Sequence, residues 1–298
     1  MEYRYVFGFA ILVCLLGLGL SFHLVENIEY RHSEDLVSNN EKSLSQEPAI
    51  QIGVISRYAP SRIFDLYQPL MDDLSVSLGR TIQLKLADSY HDTLDQLTSG
   101  VIDAAFLGSY IYGRTHQERG LQVIAAPVDK DGSSQTRVAL IVDSKGPYQN
   151  LADLKGKALA LPSEQSFSAK WFRLMELKKE GMTTDDFQRI ETFDYHHTVV
   201  FQVLWGPFDA GVVRESVAEE FRHQGLKVLA YSDPFPSPPL ACLKTAPQQL
   251  VAQLRQAILD WNPESSPNQA RNFYGFKTMS DKDYSEMIRG FSVAGDKP

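Results

Sequence analysis

Between Ile50 and Tyr231 the chain alternates short apolar stretches with amphipathic ones, and it runs that alternation twice. The first round reads as strand Ile50–Ile55, helix Ile63–Leu78 and strand Thr81–Leu86. It continues with helix Tyr90–Thr98, strand Ala104–Leu107, a helix around Tyr110–Glu118, strand Gln122–Ala126 and strand Val138–Val142. The first helix carries Leu66, Leu70, Leu74 and Leu78 on one face and stops at Gly79, while Pro69 marks a kink or its true first turn. The second round opens at Leu151–Leu154. It runs through strand 157–161, helix 168–180, strand Arg189–Phe193, helix 197–204, strand Ala210–Val213, helix Val217–His223 and strand Lys227–Tyr231. A Pro-rich crossing (Asp233–Pro239), a short strand Leu240–Leu243, a helix near Pro247–Leu259 and C-terminal helices complete the chain. Strands alternating with helices define an α/β fold with mainly parallel sheets. Two such units joined by extended segments predict two lobes around a ligand cleft: 49–142 as the first part of lobe 1, 143–231 as lobe 2, and 232–298 as a return to lobe 1 plus the C-terminal helices. Ligands of such sheets lie at the carboxyl ends of the strands.

The N-terminus is built differently. Val6–Phe22 is almost wholly apolar, with Arg4 before it and Glu26, Glu29, Glu34 and Asp35 after it. Such a run targets a membrane. The small residues that could mark cleavage, Gly17, Gly19 and Ser21, lie inside the run, which favours an uncleaved signal anchor over a cleaved signal peptide for 1–24. Residues 25–48 are polar and read as a stalk. The remainder is then exported, to the periplasmic side of the inner membrane if the anchor through residues 6–22 is kept and to the periplasm if it is cut. Cys14 sits in the apolar run and Cys242 is then unpaired, a small buried hydrophobe, so neither a disulfide nor a Cys-based metal site is expected.

A net charge of −8 without any Lys/Arg-rich run excludes nucleic acid as the expected partner. It does not exclude an anionic ligand, because hydroxyls and backbone N–H groups bind anions without a basic surface. Residues 155–169, Lys-Gly-Lys-Ala-Leu-Ala-Leu-Pro-Ser-Glu-Gln-Ser-Phe-Ser-Ala, offer such groups. A strand breaks at Pro162, a small polar turn follows, and a helix opens with Trp171, Phe172, Leu174 and Met175 as its apolar members. Ser166 and Ser168 fit an ordinary helix N-cap, and they equally fit an oxyanion cradle at a helix N-terminus. No Gly-x-Ser-x-Gly elbow, His-Glu-x-x-His or phosphate-loop motif is present, so neither a catalytic residue, nor a cofactor, nor a metal is expected and the chain does not read as an enzyme.

Taken in order, several segments resemble the phosphate/phosphite/phosphonate solute-binding proteins of ABC transporters, a type 2 periplasmic-binding fold. Tyr90 followed by Gly100-Val-Ile-Asp103-Ala-Ala-Phe-Leu-Gly108, the run Asn150-Leu-Ala-Asp-Leu-Lys-Gly-Lys157, the turn Ser166-Phe-Ser-Ala169, and His196 ahead of Gly206 and Asp209-Ala-Gly211 carry the likeness. It covers about residues 50–260. The resemblance implies ligand contacts at Tyr90, Tyr112, Ser166, Phe167, Ser168 and His196, with Phe167 contributing only its backbone N–H. It places Asp103 and Asp209 in structural positions.

Departures from the pattern shape the ligand expectation. The family's Ser-Thr-Ser-Gly is Ser-Phe167-Ser-Ala169 here, with one hydroxyl fewer and no Gly. The acids that pair an aminophosphonate's ammonium fall near Ser216, with Glu215 one position off, and on Pro238. The expected ligand is therefore a compact oxyanion such as phosphate, phosphite or a simple phosphonate, delivered to an ABC permease. The tether equally suits a membrane-anchored binding module that reports to a sensor kinase, and an enzyme on the same fold is the remaining, weaker reading.

Overall fold

A strand with apolar residues at alternate positions buries the face they share, and the first strand of this chain does so. In the computed structural model, which describes residues 47–268, 270 and 272–294, Ile50, Ile52 and Val54 of β1 (Ile50–Val54) are all buried. The expected membrane segment, the stalk up to residue 46 and Cys14 lie outside the described residues. Among those described, no helix is long and apolar enough to cross a membrane. The described residues all belong to one unit, Gln46–Pro298.

After β1 comes α1 (Pro60–Leu78), which begins on a proline at its first turn, keeps Pro69 in its interior, and ends at Gly79 in the left-handed conformation (φ 61°). Pro69 is thus not the first turn. β2 (Ile82–Leu86), α2 (Tyr90–Thr98), β3 (Ala104–Phe106), α3 (Ser109–Thr115) and β4 (Leu121–Pro127) follow. The chain then crosses through β5 (Gln135–Thr136) into β6 (Val138–Asp143). The second lobe continues with β7 (Ala158–Pro162) and the helix α4, which runs as an α turn over Phe167–Trp171, a π segment over Phe172–Glu176 and an α turn over Leu177–Lys179. β8 (Arg189–Phe193), α5 (His196–Leu204), β9 (Ala210–Arg214), α6 (Glu215–Phe221) and β10 (Leu226–Tyr231) complete it. The return passes through β11 (Phe235–Pro236) to β12 (Leu240–Leu243), α7 (Gln248–Asp260), β13 (Phe276–Lys277) and α8 (Asp281–Ala294).

Strand order is β13-β4-β12-β3-β1-β2 in the first lobe and β10-β6-β9-β7-β8 in the second, while β5 and β11 pair with each other where the two crossings meet. The sheets are mixed rather than mainly parallel. β2-β1-β3 and β8-β7-β9 are parallel, but β12 runs antiparallel to β3 and β4, and β6 antiparallel to β9 and β10. The reason is the crossing itself. β6 and β12 enter their sheets from the other lobe without a preceding crossover helix, so nothing forces them parallel. For the same reason Val138–Asp143 is hydrogen-bonded into the second sheet, and lobe 2 begins at β6, earlier than the expected border at 142/143. The C-terminal helix does more than return to lobe 1. Tyr284 of α8 is buried beside Ile111 and Tyr112, whereas Phe291 on the same helix is buried in the second core with Trp171 and Phe172.

The two lobes repeat one device. Asp103, just before β3, accepts the Gln51 N–H of β1 at 2.7 Å, and Asp209, just before β9, accepts the Ala158 N–H of β7 at 2.9 Å. Each aspartate also donates its own N–H to the carbonyl of that same residue at 2.9 Å. These carboxylates hold the backbone, that of Asp209 also accepting the Tyr148 hydroxyl, which accounts for an Asp at this point of each round. Gly211 belongs to the same device: a Cβ there would lie 2.7 Å from Val199 Cγ1, so only glycine lets α5 seat closely on β9.

Candidate functional site

The carboxyl ends of β1, β3, β7, β8 and β9 and the helices that follow them converge between the lobes. The turn after β1 brings Arg57, Gly108 and Ser109 open α3, Ser166 and Ser168 open α4, His196 opens α5, and Arg214 ends β9. With Tyr90 and Phe167 these residues line a small cavity of about 30 Å³. The lobes touch around it. The His196 N–H donates to the Arg57 carbonyl at 3.4 Å, Arg62 of α1 pairs with Glu220 of α6 at 3.0 Å, and Tyr58 packs edge-on to His197.

Five of the six residues singled out from sequence, Tyr90, Ser166, Phe167, Ser168 and His196, meet at this cavity. Ser166 is also the helix cap: its Oγ accepts the Ala169 N–H at 3.2 Å. The capping reading of that serine is thus observed, and Ser168, two residues on and buried, makes no hydrogen bond through its hydroxyl among the described residues. Phe167 has a job that a threonine could not do. Its ring stacks on Phe235 of β11 at 3.5 Å between centroids and meets Phe291 edge-on at 5.0 Å, tying the turn to the crossing and to α8.

Tyr112 is placed elsewhere. It is fully buried in the first lobe, with its hydroxyl on the Asp281 carboxylate and its ring stacked on His116. Ser109, three residues earlier, takes the cavity position instead and donates to the Pro236 carbonyl at 2.6 Å. A helix presents residues three apart on neighbouring but distinct bearings, and the apolar neighbours Ile111 and Tyr284 pull Tyr112 inward.

The structure adds two residues that the sequence reading passed over, Arg57 and Arg214. Arg57 is buried and Arg214 half-buried. Their polar contacts are with neutral hydroxyls: Arg57 donates to Tyr67 Oη at 3.3 Å and Arg214 to Thr136 Oγ1 at 3.2 Å. The Nε–H of each is buried without a partner, as is His196 Nδ1. Among the described residues neither arginine is within ion-pair distance of a carboxylate. A guanidinium keeps its proton even when buried, and two of them on one wall without a counter-charge are costly. Burial and then the neighbouring Arg57 pull the Arg214 pKa down. The signal in the sequence was an arginine just past or at the carboxyl end of an apolar strand, in Ile55-Ser56-Arg57 and in Val212-Val213-Arg214.

Burial, together with the two arginines, sets the state of His196. Burial first, then Arg214, Arg57 and His197, hold its imidazole well below the ordinary 6.5. It is therefore neutral in the free protein near pH 7. The unfolded chain takes up this proton near pH 6.5 and the folded chain resists it. The associated stability is full above that pH and is lost as pH falls towards the depressed value. Thermal unfolding of the ligand-free protein should thus shift down between pH 7 and pH 5.5, and His196→Gln should reduce that shift. Equal slopes for both proteins would contradict the assignment. Burial likewise pushes the Tyr90 hydroxyl up to about 12, so it is a neutral donor; no other described residue bonds to it.

Among the described residues no group of three or more His, Cys, Asp or Glu is arranged to hold a metal ion. What the cavity assembles is a set of donors: two guanidiniums, serine and tyrosine hydroxyls, and an imidazole. This set complements an oxyanion with several acceptor atoms.

A two-lobed α/β fold joined by a double crossing is the architecture of solute-binding proteins that close on a ligand between their lobes. The chain belongs to the family described as "ABC transporter, phosphonate, periplasmic substrate-binding protein", whose pattern matches residues 52–284. That family comprises binding proteins of transport systems rather than enzymes, and membership implies a periplasmic location. The phosphonates-binding periplasmic protein of Escherichia coli (strain K12) is 26% identical over 149 residues, which are 48% of this chain and 44% of that protein. The matched part thus spans less than half the length of this curated relative. Two solved structures share the fold. A binding protein component of an ABC phosphonate transporter from Pseudomonas aeruginosa superposes with a TM-score of 0.73 at 17% identity, covering 83% of this chain and 86% of the other. PhnD1 from Prochlorococcus marinus (MIT 9301), in complex with methylphosphonate, gives a TM-score of 0.73 at 16% identity, covering 82% and 97%.

Proposed function

We propose that this protein binds an oxyanion of phosphorus, a phosphonate or phosphate group, in the cavity between Arg57 and Arg214 and delivers it to an ABC permease at the inner membrane. The observation that carries the reading is the pair of arginines on one cavity wall with no carboxylate to neutralise them. A bound oxyanion supplies the missing charge, and the unpartnered Nε–H groups are donors suited to its oxygens. Ser166, Ser168, Tyr90 and His196 would complete its hydrogen bonds, with His196 gaining a proton as the anion offsets the two guanidiniums. An aminophosphonate is disfavoured, because Arg214 stands two positions before Ser216, where a carboxylate for the ammonium was sought. The kinship with phosphonate transport proteins supports delivery to a transporter over reporting to a sensor kinase. The apolar segment 6–22 would hold the protein beside its permease.

Calorimetric titration of the full chain with methylphosphonate tests the site. Ser168→Ala and His196→Ala should each weaken binding by roughly 1–3 kcal/mol, the value of a hydrogen bond to a charged group, without unfolding the lobe. Unchanged affinity in both variants would overturn it.

A further inference from the structure

The wall formed by Arg57, Arg214 and Pro238 has a second side. Beyond it lies a chamber of about 310 Å³ that these same three residues also line. Its volume is at the lower end of the range for cavities that take drug-sized molecules, and about ten times that of the polar cavity. Both spaces are mixed in chemistry. The smaller presents hydroxyls and an imidazole beside Ile55 and Phe235, and the larger sets the rings of Tyr58, Tyr67, Phe106 and Phe273 against polar groups of Asp129, Gln135 and Thr136. Tyr67, Phe106 and Phe273 pack on one another at centroid distances of 5.1–6.2 Å, so this aromatic wall is held by the lobe-1 core rather than by the ligand. The chamber widens to solvent past Ser216, Asn272 and Tyr274, all exposed. Of its two carboxylates, Glu220 is engaged by Arg62 at 3.0 Å and by His197 at 3.2 Å across the cleft, and Asp129 accepts the N–H groups of Asp131 and Ser133, each at 2.9 Å.

We infer that the ligand is not a bare anion but a phosphonate or phosphomonoester with an organic substituent of aromatic size: the oxyanion sits between Arg57 and Arg214 and the substituent lies in the chamber. This inference rests on the oxyanion reading of the site and departs from the compact anion expected from sequence. The geometry gives the two arginines both ends of the task. Their guanidiniums hold the head group, and their flat faces and methylene stems border the space for the tail. Apolar surface of the tail leaves water against Tyr58, Leu66 and the ring edges that the core leaves uncovered, a gain that methylphosphonate and inorganic phosphate do not obtain.

Calorimetric titration of the full chain with inorganic phosphate, methylphosphonate, phenylphosphonate and phenyl phosphate tests this, the last two separating a phosphonate from a phosphomonoester. Phenylphosphonate or phenyl phosphate should bind at least tenfold more tightly than methylphosphonate. In Leu66→Trp and Ser216→Trp, which place a large ring into the chamber from α1 and from α6, that ratio should collapse to below threefold. Equal affinity for phenylphosphonate and methylphosphonate in the wild type overturns the inference, as does a ratio that persists in both variants. Binding of none of the four overturns the oxyanion reading itself and is thereby distinguished from failure of the inference alone.

Discussion

Replacing Arg214 with Met should remove most of the anion affinity while raising the thermal midpoint of the ligand-free protein. Two opposed effects come from one charge. In the free protein Arg214 is repelled by Arg57, lies near a His196 that burial keeps neutral, and has one neutral hydroxyl partner and an unpartnered Nε–H. Methionine fills much of the same volume without a charge to desolvate, so the free protein gains stability. With the anion in place the guanidinium becomes half of a desolvated ion pair. Truncating one partner of such a pair costs about 2–5 kcal/mol, some thirtyfold to several thousandfold in affinity. Calorimetric titration with methylphosphonate reads the loss, and scanning calorimetry without ligand reads the gain. A lower midpoint with unchanged affinity would show that Arg214 supports the fold and not the ligand.

Tyr112→Ala should do the reverse, costing stability and leaving the site alone. The ring is fully buried between His116 and Tyr284, at 5.1 and 4.9 Å between centroids, and its hydroxyl donates to Asp281. Deleting a buried ring costs about 3–5 kcal/mol, and Asp281 loses one of its donors besides, keeping the Val123 N–H. Chemical denaturation should therefore show a loss of that size. The milder Tyr112→Phe keeps the ring and serves as the binding control: its affinity for methylphosphonate should equal that of the wild type. A tenfold loss in Tyr112→Phe would mean that the register of the phosphonate-binding family, and not the cavity observed between the lobes, locates the second tyrosine.

Much of this was legible because it is local. The alternation of strand and helix, the left-handed Gly79 that stops α1 and the Ser166 cap each depend on a few neighbouring residues, and each is found where the pattern put it. What depends on distant segments was less legible. The antiparallel seating of β6 and β12 follows from the double crossing, which periodicity does not encode. The apolar run Val138–Val142 reads the same in either lobe; only its ladders to β9 and β10 assign it. Within the site, Ser166 and Ser168 announce themselves as small polar residues at a helix start, and His196 through its register in the family resemblance. Arg57 and Arg214 do not, since a strand-end arginine usually faces water and only the closing of one lobe on the other buries these two together. Tyr112 shows the converse. Its register matches the family, but one position on a helix carries no statement of which way the ring turns until α8 is packed against it.

The central claim is that Arg57 and Arg214 receive the anion directly, and their buried Nε–H groups report on it. In nitrogen-15 spectra of the arginine side chains, one equivalent of methylphosphonate should shift two protected Nε–H signals downfield. One should be missing in Arg57→Met and the other in Arg214→Met. Saturable methylphosphonate binding that leaves both signals in place would contradict the account.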